Sequence, residues 1–218
     1  MQDIVNERIT SFINSFDNPD SEICMIIEQE ARNTYVPIVR KEMASFLKVL
    51  MAIIKPRNIL EIGTAIGYSS ILMGENTPSD TQITTIENYD VRIPIARENF
   101  KRAGLSDKIT LIEGDANEVL KTLEGEYDFI FMDAAKAQYI VILPEILRLL
   151  KNGGVLVTDN VLQEGDIIES RYGVTRRNRT IYDRMREYLY AVTHSEELTS
   201  TILPIGDGIT ISVKKDRE

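Results

Sequence analysis

The 218-residue chain is 43% hydrophobic and carries 25 Lys and Arg against 34 Asp and Glu, a formal net charge of −9. That size suits one α/β domain over residues 1–218 with a sizeable core, while the acidic balance argues against broad nonspecific binding of nucleic acid, which depends on neutralising phosphates. One cysteine, Cys24, and one histidine, His194, exclude an internal disulfide and a Cys/His metal cluster, and with no apolar run near the roughly eighteen residues of a membrane helix, no membrane and a cytoplasmic location are expected.

Residues 2–16 place Ile4, Val5, Ile9, Phe12, Ile13 and Phe16 at helical spacing, so one face of a first helix is apolar. Asp17-Asn-Pro-Asp-Ser21 ends it, and Asp20 or Ser21 can cap the next helix. Thr34-Tyr-Val-Pro-Ile interrupts again, because proline disfavours helix in the residue before it. A longer helix from about Val39 to Ile54 follows. The apolar faces of this N-terminal region are expected to be core or the contact of a homodimer, with a lid over the ligand edge as the alternative.

From Asn58 to Ser70 an apolar strand passes Gly63 and Gly67 and enters a helix. Glycine at such a strand-to-helix turn permits positive φ and close approach of a ligand to the main chain. The pattern is Glu-x-Gly-x-x-x-Gly and not the Gly-x-Gly-x-x-Gly of a dinucleotide site. An acid beside the turn, Glu61, would repel a pyrophosphate but suits a cationic amino-acid ligand, which points to S-adenosylmethionine. Glu87, about 20 residues beyond Gly67 and closing the next apolar run, is placed to take two ribose hydroxyls.

Apolar runs at 82–86, 109–113, 127–132 and 154–158 then alternate with helical stretches at 68–76, 90–104, 115–124 and 138–151. This alternation predicts a doubly wound, mostly parallel sheet with ligands beyond the strand C-termini. Every strand meets an acid there: Glu61, Glu87, Asp115, Asp133 and Asp159. Asp115 reads equally as a helix cap or an adenine contact. Asp133 with Asp159 and Asn160 makes a set of hard oxygen donors suited to Mg²⁺. Lys136, three residues after Asp133, can return toward that set, and beside a divalent cation its amine gives up a proton more readily, as a general base must.

Between residues 171 and 180 lie four arginines, Arg171, Arg176, Arg177 and Arg179, with Tyr172 and no acid. Guanidinium groups suit phosphate and a tyrosine can stack on a splayed base, so the run reads equally as an RNA contact or as a basic turn pairing with the chain's own acids, and the family resemblance given below favours the RNA contact. A helix over 181–192 follows, with His194 at its end. Residues 200–205 and 209–213 form two short strands joined by Gly206-Asp207-Gly208, a hairpin turn.

Glu61-x-Gly63-x-x-x-Gly67-Tyr68-Ser69, Asp133-Ala-Ala-Lys136 and Thr158-Asp159-Asn160-Val161 together resemble the cation-dependent O-methyltransferases, the class of catechol and caffeoyl-coenzyme A methyltransferases. Val36-Pro-Ile, Asp133-Ala-Ala-Lys-Ala-Gln-Tyr139, the arginine run and Pro204-Ile-Gly-Asp-Gly are most similar to the bacterial tRNA 5-hydroxyuridine methyltransferases, which act on the wobble uridine of the anticodon loop. The resemblance implies a seven-stranded Rossmann-like class I methyltransferase fold with an antiparallel C-terminal hairpin. It implies that Val39, Gly63, Ser69, Glu87, Ala116 and Asp133 line the S-adenosylmethionine site, that Asp133, Asp159 and Asn160 hold Mg²⁺, and that Lys136 assists deprotonation. The further acid that animal catechol enzymes bring to the second substrate hydroxyl is not identifiable, which weighs against a catechol substrate. Small catechol-like or caffeoyl-coenzyme A-like phenols are the alternative substrates.

Overall fold

The structure, a computed structural model, describes residues 5–216; Ile4, expected in the first helix, lies outside them. The first helix, α1 (Glu7–Asn14), is shorter than its apolar pattern and is capped by the Asn6 side chain on the Arg8 amide. Ser21 caps α2 (Glu22–Thr34) by accepting from the Cys24 amide, and Tyr35, at φ 55°, ends it two residues before Pro37. Next comes α3 (Lys41–Ile54).

Strand and helix then alternate: β1 (Asn58–Ile62), α4 (Tyr68–Glu75), β2 (Gln82–Glu87), α5 (Ile93–Arg102), β3 (Ile109–Glu113), α6 (Ala116–Thr122), β4 (Tyr127–Met132), α7 (Tyr139–Leu149) and β5 (Leu150–Thr158). After α8 (Arg179–His194), β6 (Leu198–Leu203) and β7 (Ile209–Lys214) form the hairpin. The seven strands lie in the order β3-β2-β1-β4-β5-β7-β6, with β1 to β5 parallel and β7 antiparallel to both neighbours. The expected doubly wound sheet is therefore present, with the reversal of strand order between β1 and β4. The fifth strand begins earlier than its apolar run, at Leu150.

Side chains of a strand alternate between faces, and this parity builds the two layers of the core. Ile59, Phe129, Phe131 and Val157 pack under α2 to α5 with Ile27, Leu47, Ile71 and Phe100. Leu60, Ile62, Ile130, Met132 and Leu156 pack on the other face with Leu120, Ile146, Met185 and Tyr188 from α6, α7 and α8. Both faces of the central strands are covered, which is why they read as continuous apolar runs. Among the described residues no helix is long and apolar enough to cross a membrane.

At the switch point the two glycines of the first turn have separate jobs. Gly63, at φ 103°, brings the turn so close to β4 that a Cβ would lie 1.9 Å from the Asp133 carbonyl oxygen. Gly67, at φ 86°, meets Phe100 of α5, whose ring a Cβ would approach to 2.5 Å. A backbone oxygen cannot step aside as a side chain can. Gly63→Ala is therefore expected to lower stability by at least about 2 kcal/mol, measured as a drop in urea midpoint at unchanged slope; a wild-type midpoint would show that β1 and β4 tolerate separation.

Candidate active site

A cleft of about 530 Å³ opens beyond the C-terminal ends of the parallel strands. Its walls include Gly63, Ala65, Glu87, Tyr89, Asp115, Ala116, Asn117, Asp133 and Asn160. Glu87 is fixed at the end of β2 by three backbone amides: Ala65 donates to Oε2 at 2.8 Å, and Asn88 and Tyr89 donate to Oε1 at 2.9 Å each. A carboxylate offers about four lone-pair positions, so acceptor capacity remains for a hydroxyl in the cleft. Beside it the Arg92 guanidinium lies 5.2 Å from the Tyr89 ring centroid, adding a flat surface to the mouth.

Asp115 caps α6, accepting from the Asn117 amide at 2.9 Å and from Asn117 Nδ2 at 2.8 Å. This leaves Asn117 Oδ1 buried with no hydrogen-bond partner. Buried acceptors are rarely left unpaired, and one on the wall of a cleft fits the exocyclic amine of a nucleobase. Asp115 has both of its read aspects, cap and cleft wall, while Asn117 had no signal in the sequence beyond a polar residue in a first helical turn. Glu87, Asn117 and the bare backbone of Gly63 together fit a nucleoside cofactor.

A second group of residues stands at the ends of β4 and β5. Their parallel pairing sets Asp133 and Asp159 side by side, each amide bonded to the neighbouring strand, Asp133 to Ile62 O at 2.9 Å and Asp159 to Met132 O at 3.0 Å. Asn160, at φ 61°, turns back so that its amide donates to Asp159 Oδ1 at 2.7 Å and its Nδ2 to Asp133 Oδ1 at 3.0 Å. Burial pushes the Asp133 carboxyl up to about 6, against the opposing pull of Asn160 and Lys136. Burial and then the charge of Asp133 push Asp159 up to about 7. Two crowded acids short of compensating charge fit a divalent cation, which would draw on both carboxylates and the Asn160 amide oxygen. No group of three or more His, Cys, Asp and Glu arranged for a metal occurs among the described residues, so the fit depends on that amide.

Lys136 sits on a single 3₁₀ turn (Lys136–Gln138) after Asp133, with its Nζ 3.0 Å from Asp207 Oδ2. Asp207 is buried in the turn between β6 and β7. The sequence shows that turn as a hairpin signal and as part of the Pro204-Ile-Gly-Asp-Gly motif, with nothing that pairs Asp207 with Lys136.

Some expected contacts fall elsewhere. Strand parity puts Glu61 on the face under α4, not at the cleft: it is 0% exposed, and accepts from Ser69 at 2.5 Å, Thr85 at 2.5 Å and Ser70. The expected meeting of Glu61 with a cationic ligand is corrected accordingly, since its oxygens are taken by hydroxyls that tie α4 to β1 and β2. Burial raises the proton affinity of that carboxyl, the hydroxyls opposing it. Ser69 is likewise engaged with Glu61, and Val39 is buried beside Pro37 and Ile38, which reach the cleft in its place. The space beyond Gly67, expected to admit a ligand, is filled by Phe100. Of the four arginines, Arg171 forms a forked ion pair with Asp183 at 2.8 to 3.0 Å and Arg179 donates to Val174 O. Arg171 thus follows the alternative of pairing with the chain's own acids. Arg176 and Arg177 are exposed and make no ion pair among the described residues.

The sheet order, the terminal hairpin and the cleft at the β1/β4 reversal define a class I methyltransferase. A family model described as O-methyltransferase matches residues 19–215, and the chain belongs to that family. It is 34% identical over 177 residues to a caffeoyl-CoA O-methyltransferase of Nicotiana tabacum, covering 76% of this chain and 72% of the relative. It is 32% identical over 170 residues to a tapetum-specific methyltransferase of Arabidopsis thaliana, covering 76% and 73%. The O-methyltransferase of Bacillus cereus in complex with SAH superposes with a TM-score of 0.84 at 27% identity, over 95% of this chain and 97% of that one. An SAH-bound methyltransferase of Podospora anserina gives 0.86 at 28%, over 96% and 95%.

Because Asp133 and Asp159 bind protons more tightly folded than unfolded, their contribution to stability is complete below the ordinary carboxylate range and is lost as pH rises through about 6 to 7. With chelator present, the urea midpoint should fall between pH 5 and pH 8, and Asp159→Asn should flatten that fall. Equal slopes for wild type and variant would show that the pair carries no such penalty.

Proposed function

We propose that this O-methyltransferase transfers the methyl group of S-adenosylmethionine to the 5-hydroxyl of 5-hydroxyuridine at the wobble position of tRNA, giving 5-methoxyuridine, with Mg²⁺ or another divalent cation. The observation that carries the RNA substrate is the pair Arg176 and Arg177, exposed and without an ion pair among the described residues in a chain of net charge −9, with Tyr172 85% exposed nearby in sequence. The two arginines lie in the connection that runs from Asn160 to α8, on the same stretch of chain that leaves the Asp133, Asp159 and Asn160 group. Use of S-adenosylmethionine is supported by the acceptors that the cleft offers a nucleoside, Glu87 and Asn117 Oδ1, and by the SAH bound to two structural relatives.

The methyl of a sulfonium is already electrophilic, so the protein must present an ionised and aligned oxygen. A divalent cation bound by Asp133, Asp159 and Asn160 would supply Lewis-acid stabilisation of that oxygen. Lys136, as the neutral amine with one N–H still donated to Asp207, takes the hydroxyl proton on its Nζ lone pair, the oxygen forms its bond to the methyl carbon, and the carbon–sulfur pair returns to sulfur to leave S-adenosylhomocysteine. Glu87 and Asn117 hold the nucleoside, and Gly63 keeps the wall of the cleft bare. The 5-hydroxyl and O4 of the uracil are vicinal oxygens, as are those of a catechol. The second reading, a small phenol or caffeoyl-coenzyme A ester, is favoured by the names of curated relatives.

The test is methyl transfer from labelled S-adenosylmethionine to tRNA bearing 5-hydroxyuridine, with and without Mg²⁺, beside a catechol and caffeoyl-coenzyme A. Chelator-sensitive label in tRNA is expected, reduced about 100-fold or more by Asp133→Ala. Arg176→Ala with Arg177→Ala should weaken tRNA binding and shallow its log–log salt dependence by roughly 1.4, two single-strand phosphate contacts. Label confined to the phenols would sink the RNA substrate.

We further propose a homodimer through the N-terminal helices, supported by Ile9, Phe12, Ile13 and Phe16 of the α1 region, all exposed. Light scattering should give twice the 24.8 kDa chain mass, and Phe12→Glu with Phe16→Glu should return the monomer. A monomeric wild type would overturn it.

A further inference from the structure

The carboxylate of Asp207 is 4% exposed and uses its two oxygens on two different partners. Lys136 Nζ donates to Oδ2 at 3.0 Å, and the amide of Glu164 donates to Oδ1. The turn that bears it is itself immobilised against the segment following Asn160. Leu162 N donates to Asp207 O and Val161 N to Gly208 O, each at 2.9 Å, and the Gly208 amide closes the turn on Ile205 O at 2.8 Å. Gly208, at φ 77°, lies so close that a Cβ would stand 2.2 Å from Leu162 Cγ. The loop gripped in this way holds Gln163 and Glu164 at φ 50° and 54°, a backbone region that side-chain-bearing residues seldom occupy without outside support.

A base on a long flexible stem works only when a third group fixes its orientation. Lys136 has four rotatable side-chain bonds and a single 3₁₀ turn beneath it, and the only hydrogen-bond partner of its amine among the described residues is Asp207. Resting on the reading of O-methyl transfer given above, we infer that Asp207 is a positioning residue: it aims the Lys136 amine at the acceptor oxygen and pins the 161–165 loop through Glu164. The cation donors of that reading remain Asp133, Asp159 and the Asn160 amide oxygen, and Asp207 acts through Lys136.

Asparagine separates the two tasks. Asp207→Asn retains an oxygen for the Glu164 amide and loses the ion pair, whereas Asp207→Ala loses both. Three readouts are compared in the full chain. The first is acylation of Lys136 by limiting acetic anhydride, read by mass spectrometry against Lys101, which is exposed and has no side-chain partner among the described residues. Hydrogen exchange of the Glu164 amide is the second. The third is kcat and KM for methyl transfer to tRNA bearing 5-hydroxyuridine and to catechol. Asp207→Asn should acylate at Lys136 about threefold or more faster than wild type, keep Glu164 protected, and lose about tenfold or more in kcat with KM for S-adenosylmethionine within twofold. Asp207→Ala should in addition expose the Glu164 amide, and if it fails to fold the asparagine variant decides. Unchanged Lys136 acylation or unchanged kcat in Asp207→Asn overturns the inference. A wild type that methylates neither acceptor counts against the O-methyl transfer reading instead, and the acylation ratio then decides the positioning role alone.

Discussion

Two acids held together against their own repulsion set the terms for the rest of this molecule. Asp133 and Asp159 stand at the ends of adjacent parallel strands, and the register of β4 with β5, which pairs Met132 with Thr158, sets them side by side. Each peptide is anchored to its neighbour, and Asn160 bridges both side chains from a left-handed backbone position. Burial then removes the water that would ordinarily screen such a pair. The arrangement makes sense for a site that offers oxygen donors to a cation and is costly in any other use.

Around this pair the sheet divides labour by parity. Odd and even residues of one strand serve different faces, so neighbouring positions in sequence have unrelated environments. In β1, Leu60 and Ile62 support the layer of α6 to α8, while Glu61 between them turns to α4 and spends its charge on three hydroxyls. Those bonds hold the helix whose preceding turn forms the floor of the cleft. Glu61 shapes the site from beneath it.

The same division explains what was legible in the chain. The parallel order and the C-terminal hairpin could be read because apolar runs and breakers report strands buried on two faces. Strand ends are also legible, which is how Glu87, Asp115, Asp133, Asp159 and Asn160 came to be grouped on one edge; the structure brings all five there. Facing direction is harder to read. Glu61 differs from Glu87 only in whether its position counts toward the core or past the strand end, and Arg171 differs from Arg176 in having Asp183 within reach on a helix twelve residues on. Asp207 was explained locally by its flanking glycines, and nothing local announces a partner 71 residues away. Asn117 carries no pattern at all, since its significance lies in an oxygen that goes unpaired.

That long separation between Lys136 and Asp207 also orders events in time. The cleft is walled by residues between Pro37 and Asn160, a contiguous stretch that emerges before the hairpin during synthesis. Fixing the lysine waits for the final antiparallel pairing of β7 with β5 and β6. A nascent chain therefore acquires the walls of its nucleoside cleft first and a steady amine last. The amine that acts on a ligand thus depends on a segment of the chain later than any that walls the cleft.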